Sequence, residues 1–532
     1  MLLLAYDIGT TGVKTCLFDV GEKINMLGSA SCGYDLYIMP DGGAEQHADE
    51  WWEAMCASTR QLMVENGVDP LQIEGISFCS QMQGLVLVDR EGEPVRHPMS
   101  YMDQRATKEI DEGLHKGFKV AWMNARKLLK SLRTNGAVSG SVKDPMWKYL
   151  WVKNNEPDVF ARVYKWLDVK EYLICRCTGE MIMTEDSVFS TMLCDTRGGR
   201  RDWSKELCRM FGVDTNHLAK IIRTTDQAGT LRRKQAEELG LAEGIPVYGG
   251  GGDASLIGIG AGCVKPGDTH IYCGTSGWVA TITEKQTVDT GSMMAAIVGA
   301  QPGLYNYFAE METAGKSLEW VKDHLALDEI GIYMEKKDIT GNKEHIYTSL
   351  YDYMSEVMAS SEPGAGGVIF TPWLHGNRCP FEDANAAGMF FNISLETGKT
   401  EMIRAVVEGV CYHLRWMLEC QDKKIKTAET IRFCGGGALS PVISQILADI
   451  LGRPVEVPAQ PQNVGSVGAA LTAAAGAGAI SDIDEAANLI KPAAVYYPGS
   501  CGAEGKAAYE RNYQVFKKLY SSNKKLFAQM NQ

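Results

Sequence analysis

Two segments predicted to be the tips of β-hairpins constrain the fold of this chain more than any other feature. Apolar runs at residues 2–7 and 13–18 flank a Gly-Thr-Thr-Gly turn at residues 9–12, and a Gly-Thr-Ser-Gly turn at residues 274–277 is flanked in the same way. Apolar runs on either side of a short, glycine-rich turn predict two strands joined by a hairpin. The sequence therefore predicts one such hairpin in each half of the chain.

Glycine-rich tips of this kind are suited to binding phosphate. Several backbone N–H groups converge there without side chains in the way, and the short hydroxyl groups add further donors. An ordinary hairpin turn has the same composition, so a single tip does not separate the two interpretations. Two tips at corresponding places of two lobes, facing one cleft, favour a phosphate site. The candidate phosphate-binding residues are Thr10, Thr11, Gly274 and Thr275.

The length of the chain predicts two large lobes. At 532 residues it is too long for one ordinary hydrophobic core. Helical patterns such as residues 50–65 alternate with short apolar strands such as residues 73–78, which is typical of mixed α/β lobes. A turn that begins at Lys265 is the predicted crossing between the lobes. We therefore expect an N-terminal lobe at residues 1–264 and a C-terminal lobe at residues 265–532.

Asp253 is the strongest candidate for a catalytic side chain. It follows four consecutive glycines at the end of a predicted strand and opens a predicted helix that runs through Ile259. One interpretation makes it only the N-cap of that helix. The other makes it a general base, with the helix N-terminus favouring both its carboxylate and nearby phosphate charge. Because four glycines exceed what a cap requires, we favour the base.

A further glycine-rich turn follows the strand predicted at residues 431–434. Such a turn brings the backbone flat against a nucleotide, but a tight packing turn between a strand and a helix has the same pattern. Residues 314–317 (Ala-Gly-Lys-Ser) resemble the end of a P-loop, yet the first glycine of that motif would fall at Glu310, so no P-loop is predicted. The candidate nucleotide-binding residues of the turn are Gly435, Gly436 and Ser440.

Charge and composition argue against several kinds of partner. The net charge is −13 without a long basic run, which disfavours nucleic acid and anionic membrane surfaces as partners. The fifteen cysteines are scattered singly, as expected of reduced thiols. Asp7 interrupts the first apolar run too early for a signal peptide or a membrane span, so a cytoplasmic location is predicted. The basic segment at residues 116–133 is interpreted as the solvated face of an inserted helix rather than a membrane-surface or calmodulin-target helix.

Together these segments resemble the FGGY carbohydrate kinases, and among them the xylulokinases. The resemblance runs from end to end and includes two signature stretches, at residues 145–152 and 388–408. Residues 7–12 resemble the first phosphate loop of the family, residues 80–84 the loop that binds the sugar, and residues 101–105 a Trp-x-Asp-x-Arg segment. Residues 250–255 match the catalytic loop, residues 274–277 the second phosphate loop and residues 435–440 the adenosine loop.

The resemblance implies a fold, cofactors and roles for particular residues. It implies two ribonuclease-H-like (actin-like ATPase) lobes with the active site in the cleft between them, ATP and Mg²⁺ as cofactors, a small sugar or polyol as substrate, and often a homodimer. Asp253 would accept the proton late in the transfer, so its pKa is not expected to be raised much. The residues implied for the acceptor are Met82, Gln83, Asp103 and Asp253, and Asp7 is implied to hold magnesium through water.

The substrate and one rival class stay open at this stage. Gln83 stands where xylulokinases generally carry a histidine, so D-xylulose is the leading candidate, with ribulose, erythritol, glycerol or gluconate as alternatives. Actin-like ATPase switches share the implied architecture but have no small-molecule acceptor. The Met82-Gln83 loop and Asp103 favour the kinase, because a switch has no need of a polyol pocket.

Overall fold

The computed structural model describes residues 1–326 and 350–531, which form two β-sheets with helices packed around them. The first sheet is mixed, and its central strand, Leu2–Ile8, pairs antiparallel with Gly12–Val20 and parallel with Ile73–Ser80. In spatial order, the strands of this sheet are Gln227–Thr230, Pro246–Tyr248, Ile73–Ser80, Leu2–Ile8, Gly12–Val20 and Ile24–Gly33, with Gly251–Gly252 also pairing with Ile73–Ser80.

The second sheet repeats the central motif of the first. Its hairpin strands, Thr269–Cys273 and Gly277–Thr283, are antiparallel, and the first of them pairs parallel with Ile431–Cys434. Beyond Gly277–Thr283, further strands extend the sheet in antiparallel pairing. Beyond Ile431–Cys434, the sheet continues with one parallel strand and then one antiparallel strand. In spatial order the strands are Val288–Asp289, Met294–Val298, Tyr305–Met311, Gly277–Thr283, Thr269–Cys273, Ile431–Cys434, Val455–Pro458 and Pro492–Tyr496.

Small two-stranded ladders and the helices complete the described structure. The ladders pair Val86–Val88 with Lys165–Leu167, Ile182–Thr184 with Lys220–Ile222, Cys194–Asp195 with Asp202–Trp203, Ile369–Thr371 with Met389–Phe391, Tyr37–Ile38 with Ala44–Glu45, and Lys119–Val120 with Met123–Asn124. The α-helices are Ala48–Asn66, Thr107–Gly113, Ala125–Asn135, Pro145–Asn155, Pro157–Phe160, Val169–Thr178, Glu185–Ser190, Lys205–Phe211, Arg233–Leu239, Asp253–Gly260, Gly315–Val321, Leu350–Ser360, Lys399–Asp422, Pro441–Leu451, Val464–Gly476, Ala486–Leu489 and Gly502–Met530.

One helix from the second half of the chain joins the core of the first sheet. We call Val464–Gly476 the crossing helix, because it packs on strands Leu2–Ile8 and Ile73–Ser80 and on helix Asp253–Gly260. Its small side chains allow this close packing, and a Cβ at Gly260 would lie 1.8 Å from the carbonyl oxygen of Val464. The two lobes therefore share a central pair of helices that touch backbone to backbone.

The structure confirms most of the predicted elements and corrects one. Both hairpins, the helix after Asp253 and the helix after Ser440 are present. The basic segment at residues 116–133 is not one helix, because an exposed hairpin with strands Lys119–Val120 and Met123–Asn124 precedes helix Ala125–Asn135. The helix begins there because the Asn124 side chain accepts a hydrogen bond from the Lys127 N–H at 3.1 Å and so caps its first turn.

The close contact at Gly260 predicts a specific loss of stability. Gly260→Ala places a methyl group against a backbone carbonyl that cannot move without separating the two helices, so the free energy of unfolding should fall by about 1–3 kcal/mol. Gly21→Ala is the matched control, because nothing lies within 4 Å of a Cβ at that position, and it should change stability by less than about 0.5 kcal/mol. Urea unfolding measures both, and equal stabilities would contradict the predicted contact.

Candidate active site

The tip of the first hairpin is held by Tyr34. The Tyr34 hydroxyl donates to the carbonyl oxygen of Gly9 at 2.6 Å and lies 3.0 Å from that of Gly12. The Tyr34 backbone N–H donates to the carbonyl of Thr11 at 3.1 Å. These contacts turn the carbonyl oxygens of the tip back into the protein. Since a carbonyl oxygen would repel phosphate, the arrangement leaves the amide side of the tip for an anion.

The second hairpin tip is held in the same way by a different segment. The carbonyl of Gly274 accepts from the Gly315 N–H at 2.7 Å, and that of Thr275 accepts from the N–H groups of Ala314 at 3.2 Å and Lys316 at 3.1 Å. These three donors belong to the stretch that resembles the end of a P-loop. Their N–H groups are used on the hairpin, in agreement with the prediction that no P-loop forms.

Thr10 connects the first tip to the segments predicted to bind the acceptor. Its carbonyl accepts from Gln46 Nε2 at 2.7 Å, and Gln46 Oε1 in turn accepts from Gln81 Nε2 at 3.0 Å. Its hydroxyl lies 3.4 Å from the hydroxyl of Tyr101. Gln81 immediately precedes Met82, so the first phosphate loop and the predicted acceptor loop are parts of one hydrogen-bonded network.

The glycines before Asp253 are required by close approaches. Gly250 has a φ of +59°, and a Cβ there would lie 2.1 Å from the carbonyl oxygen of Phe78. A Cβ at Gly252 would lie 2.1 Å from the sulfur of Met82, and the Gly252 N–H donates to Asp186 Oδ2 at 2.8 Å. Any larger residue would displace the loop from the first sheet or from Met82. The glycines therefore place Asp253 beside the predicted acceptor loop.

Asp253 is the first residue of its helix, and the N-cap is Gly252. Its Oδ1 accepts from the Ala254 N–H at 2.7 Å. Burial, together with the smaller effect of the negative charges of Asp7 and Glu310, raises the pKa of the Asp253 carboxyl to about 7. The expectation of a nearly ordinary pKa was therefore wrong, because the carboxyl lies in an acidic, poorly hydrated part of the cleft.

Asp7 fits the chemistry of a magnesium site that is completed by water and phosphate. Burial raises its pKa, while the positive charge of Lys14 acts in the opposite direction. Carboxylate oxygens are hard ligands suited to Mg²⁺, which keeps several waters in most protein sites. Within residues 1–326 and 350–531, no group of three or more His, Cys, Asp or Glu side chains is arranged to hold a metal ion.

Besides Asp253, the three residues predicted to bind the acceptor differ in exposure. Met82 and Gln83 are partly exposed, and Gln83 has a φ of +64°, which residues other than glycine rarely adopt. Asp103 is fully buried; its Oδ2 accepts from the Ala44 N–H at 2.9 Å and from Arg105 Nη2 at 2.7 Å. The structure thus shows Asp103 bound within the protein, next to the predicted acceptor segment.

The residues predicted to bind adenosine follow the end of strand Ile431–Cys434 in the second sheet. Gly435 has a φ of +90°, and a Cβ there would lie 2.5 Å from the carbonyl oxygen of Cys273, at the base of the second tip. Gly436 is exposed, with open space around its Cα. The Ser440 hydroxyl caps helix Pro441–Leu451 and lies 2.9 Å from the hydroxyl of Ser355. Ser440 therefore makes contacts within the protein in addition to its predicted contact with the nucleotide.

Sequence reasoning missed several residues that shape this site. Asp186 accepts a hydrogen bond from the predicted catalytic loop, and Tyr34 donates one to the first tip. Arg378 pairs with two carboxylates, where its Nη1 is 2.7 Å from Glu310 Oε2 and its Nε is 2.6 Å from Glu312 Oε1. No motif in the sequence pointed to these side chains, because each contacts residues far away in the chain. Of the three, Asp186 lies in helix Glu185–Ser190, whereas Tyr34 and Arg378 lie outside the strands and helices and left no signal in the sequence.

The fold as a whole matches that of a solved protein structure. The ligand-bound xylulose kinase from Lactobacillus acidophilus superposes with a TM-score of 0.83 at 23% sequence identity, covering 99% of this chain and 99% of that chain. This likeness, together with the two repeated sheets, confirms the prediction of two ribonuclease-H-like, actin-like lobes. Among the helices that the structure describes, none combines the length and apolar character that crossing a bilayer demands.

The chain belongs to the FGGY family of carbohydrate kinases. The family's N-terminal domain matches residues 2–260, and its C-terminal domain matches residues 270–477. The chain is 29% identical over 532 residues to the xylulose kinase of Lactococcus lactis subsp. lactis (strain IL1403), covering 99% of this chain and 98% of the relative. It is 26% identical over 493 residues to the gluconokinase of Bacillus subtilis (strain 168), covering 92% and 90%. The protein is therefore a phosphotransferase with an alcohol group as acceptor and ATP as donor, rather than an ATPase switch.

The contacts of Tyr34 predict an effect on nucleotide use. Tyr34→Phe leaves the Gly9 and Gly12 carbonyls without their hydroxyl donor, a loss of about 1–2 kcal/mol that corresponds to a 5- to 30-fold rise in the KM for ATP. The control is Tyr6→Phe, which removes a buried hydroxyl contact to Thr59 at 2.9 Å in the same lobe. Initial rates of ADP release measure both variants, and an unchanged KM for ATP in Tyr34→Phe would contradict the role of the tip.

Proposed function

We propose that this protein transfers the γ-phosphoryl group of MgATP to a hydroxyl group of a small sugar, with Asp253 as the general base. One observation carries the proposal. A desolvated carboxylate sits on a glycine loop against Met82, and the neighbouring Gln81 is hydrogen-bonded through Gln46 to the first of two hairpin tips whose carbonyls are turned away. Phosphoryl transfer depends on positioning and charge stabilisation, and this arrangement supplies both.

Asp253 accounts for the proton in this reaction. As the acceptor oxygen bonds to the γ-phosphorus, the bond to the β-phosphate oxygen breaks and ADP leaves. The proton of the acceptor hydroxyl passes to a carboxylate oxygen of Asp253. A pKa of about 7 keeps a large part of the carboxyl ionised at neutral pH and still makes it a competent proton acceptor. Bound Mg²⁺ would neutralise phosphate charge, and Asp7 would hold it through water.

The remaining site residues have proposed roles set by their places in the cleft. Thr10, Thr11, Gly274 and Thr275 line the two tips and would bind the phosphates. Gly435, Gly436 and Ser440 would border the adenosine, and Met82, Gln83 and Asp103 would border the acceptor. We place the boundary between the lobes after residue 264, so that the lobes comprise residues 1–264 and 265–532. The crossing helix belongs to the second of these ranges and packs on the first sheet. Cytoplasmic location and a homodimer stay predictions.

D-xylulose is the leading acceptor. It is supported by a relative that is named a xylulose kinase and matches nearly the whole chain, while the gluconokinase match keeps a sugar acid among the alternatives. Gln83 both donates and accepts hydrogen bonds, so it suits a hydroxyl group and does not require a charged substrate. A neutral ketose is therefore favoured over gluconate, which would bring its carboxylate into a cleft that already contains Asp7, Asp253 and Glu310.

An acceptor panel tests this assignment. Purified protein is assayed for ADP release with D-xylulose, ribulose, erythritol, glycerol and gluconate, each with magnesium and with excess chelator. We expect the highest kcat/KM with D-xylulose and no activity with chelator. Stimulation by none of these acceptors would contradict the proposed function, and a clear preference for gluconate would contradict the substrate.

Gln83 provides a more specific prediction. Gln83→Ala removes the side chain while leaving the backbone bonds of the loop, so the acceptor KM should rise or the preferred acceptor should change. The lost hydrogen bonds correspond to about 1–2 kcal/mol, or a 5- to 30-fold effect. The KM for ATP serves as the internal control and should be unaltered. An unchanged preference across the panel would show that this side chain does not contact the acceptor.

A further inference from the structure

Lys148 is a fully buried cation that joins the two segments bordering the acceptor. Its Nζ donates to the carbonyl of Gln83 at 2.6 Å and to the carbonyl of Ser100 at 2.8 Å. Gln83 belongs to the acceptor loop, and Ser100 immediately precedes the segment Tyr101 to Asp103. Lysines are rarely buried completely, because removing the ammonium group from water is costly. Here one ammonium group fixes the two segments relative to each other.

Asp168 holds the same loop from its amide side. Its Oδ2 accepts from the Gln83 N–H at 2.9 Å, and its Oδ1 accepts from the Gly84 N–H at 2.9 Å. Asp168 also accepts from the Val169 N–H at 2.8 Å, at the start of helix Val169–Thr178, which fixes the carboxylate itself. The backbone of Gln83 is therefore held by two hydrogen bonds, one from its N–H to Asp168 and one from Lys148 to its carbonyl. We call this pair of hydrogen bonds the double grip.

This double grip explains an unusual backbone. Gln83 lies in the left-handed region, which is disfavoured for a residue with a side chain and persists only where its surroundings impose it. The two buried charges impose it, and they thereby fix the direction in which the Gln83 side chain leaves the loop. A side chain that recognises a substrate must be held to within a fraction of an ångström.

The two charges also stabilise each other. Burial lowers the pKa of Lys148 to about 8, while the carboxylates of Asp103 and Asp168 oppose this shift. Burial raises the pKa of Asp168 to about 7, and Lys148 opposes that shift. Each group is thus kept ionised in part by the other. Removing either one leaves the other with less charge compensation beside the loop.

We propose that Lys148 and Asp168 are positioning residues that determine acceptor recognition by holding the backbone of Gln83. The proposal rests on the proposed function, since it assigns the Gln83 loop to the acceptor. It extends that function by two residues that are not expected to touch the substrate and that act only through the loop. Loss of either grip should weaken acceptor binding and leave nucleotide binding intact.

The kinetic test uses Lys148→Met and Asp168→Asn. Lys148→Met removes the ammonium group, and with it both hydrogen bonds, at a similar side-chain length. Asp168→Asn replaces one carboxylate oxygen with an NH₂ group, which cannot accept a hydrogen bond. We expect the acceptor KM to rise by about ten- to a hundredfold, because small misplacements of recognition groups have effects of that size. The KM for ATP should change less than about twofold. Equal increases in both constants would overturn the proposal, because they indicate general damage.

Lys165→Met is the matched control. Lys165 also ties two backbone carbonyls, those of Asn216 at 2.7 Å and Leu218 at 2.9 Å, in the same lobe but outside the loop. It should leave the acceptor KM unchanged. An increase as large as that of Lys148→Met would overturn the proposal. If Lys148→Met does not fold, the isosteric Asp168→Asn variant decides the question.

Hydrogen exchange tests the grip independently of activity. In Asp168→Asn, one of the two amides of residues 83 and 84 loses its acceptor oxygen, and that amide should exchange at least about tenfold faster, as followed by mass spectrometry of the peptide that contains both residues. Unchanged exchange in the folded variant would overturn the proposal even if activity fell. A wild-type protein that phosphorylates no acceptor would contradict the proposed function, whereas faster exchange in the variant would still support the grip.

Discussion

The proposed phosphate site depends on keeping carbonyl oxygens away from the bound anion. A hairpin tip presents N–H and carbonyl groups in alternation, and only the first kind attracts an anion. At the first tip the carbonyls of Gly9 and Gly12 are drawn back by Tyr34, and at the second tip those of Gly274 and Thr275 are drawn back by the start of helix Gly315–Val321. In the two lobes, two unrelated segments thus hold the carbonyl oxygens of a tip by hydrogen bonds and keep them away from the proposed anion.

Negative charge is concentrated around Asp253, where several acidic groups lie close together. Asp7 and Glu310 contribute to the raised pKa of Asp253. Lys14, whose charge acts on Asp7, donates to the carbonyl of Gln462 at 3.0 Å, and Arg378 pairs with Glu310. Two helices begin in this region, Asp253–Gly260 and the crossing helix, and their N-termini favour negative charge. A magnesium ion bound with the nucleotide would supply the remaining positive charge. The cleft is therefore suited to receive MgATP rather than the free nucleotide.

Much of the fold and part of the site were predictable from sequence, for identifiable reasons. Both hairpins and the loop before Asp253 depend on residues that are neighbours in the chain, so the local pattern was sufficient. The grip on Gln83 was not predictable, because Lys148 and Asp168 lie 65 and 85 positions away in the chain. The raised pKa of Asp253 was missed for the same reason: it depends on burial and on acidic residues from several elements.

The most direct test of this account is the turnover of Asp253→Asn. Asparagine keeps the size of the side chain and most of its hydrogen bonds but cannot accept the proton. We expect kcat for acceptor-dependent ADP release to fall by about a hundred- to ten-thousand-fold, while ATP binding, measured by calorimetry, is retained. The fold should persist, because Gly252 rather than Asp253 caps the helix. Near-normal turnover in a folded Asp253→Asn protein would contradict the assignment of the base and with it the proposed mechanism.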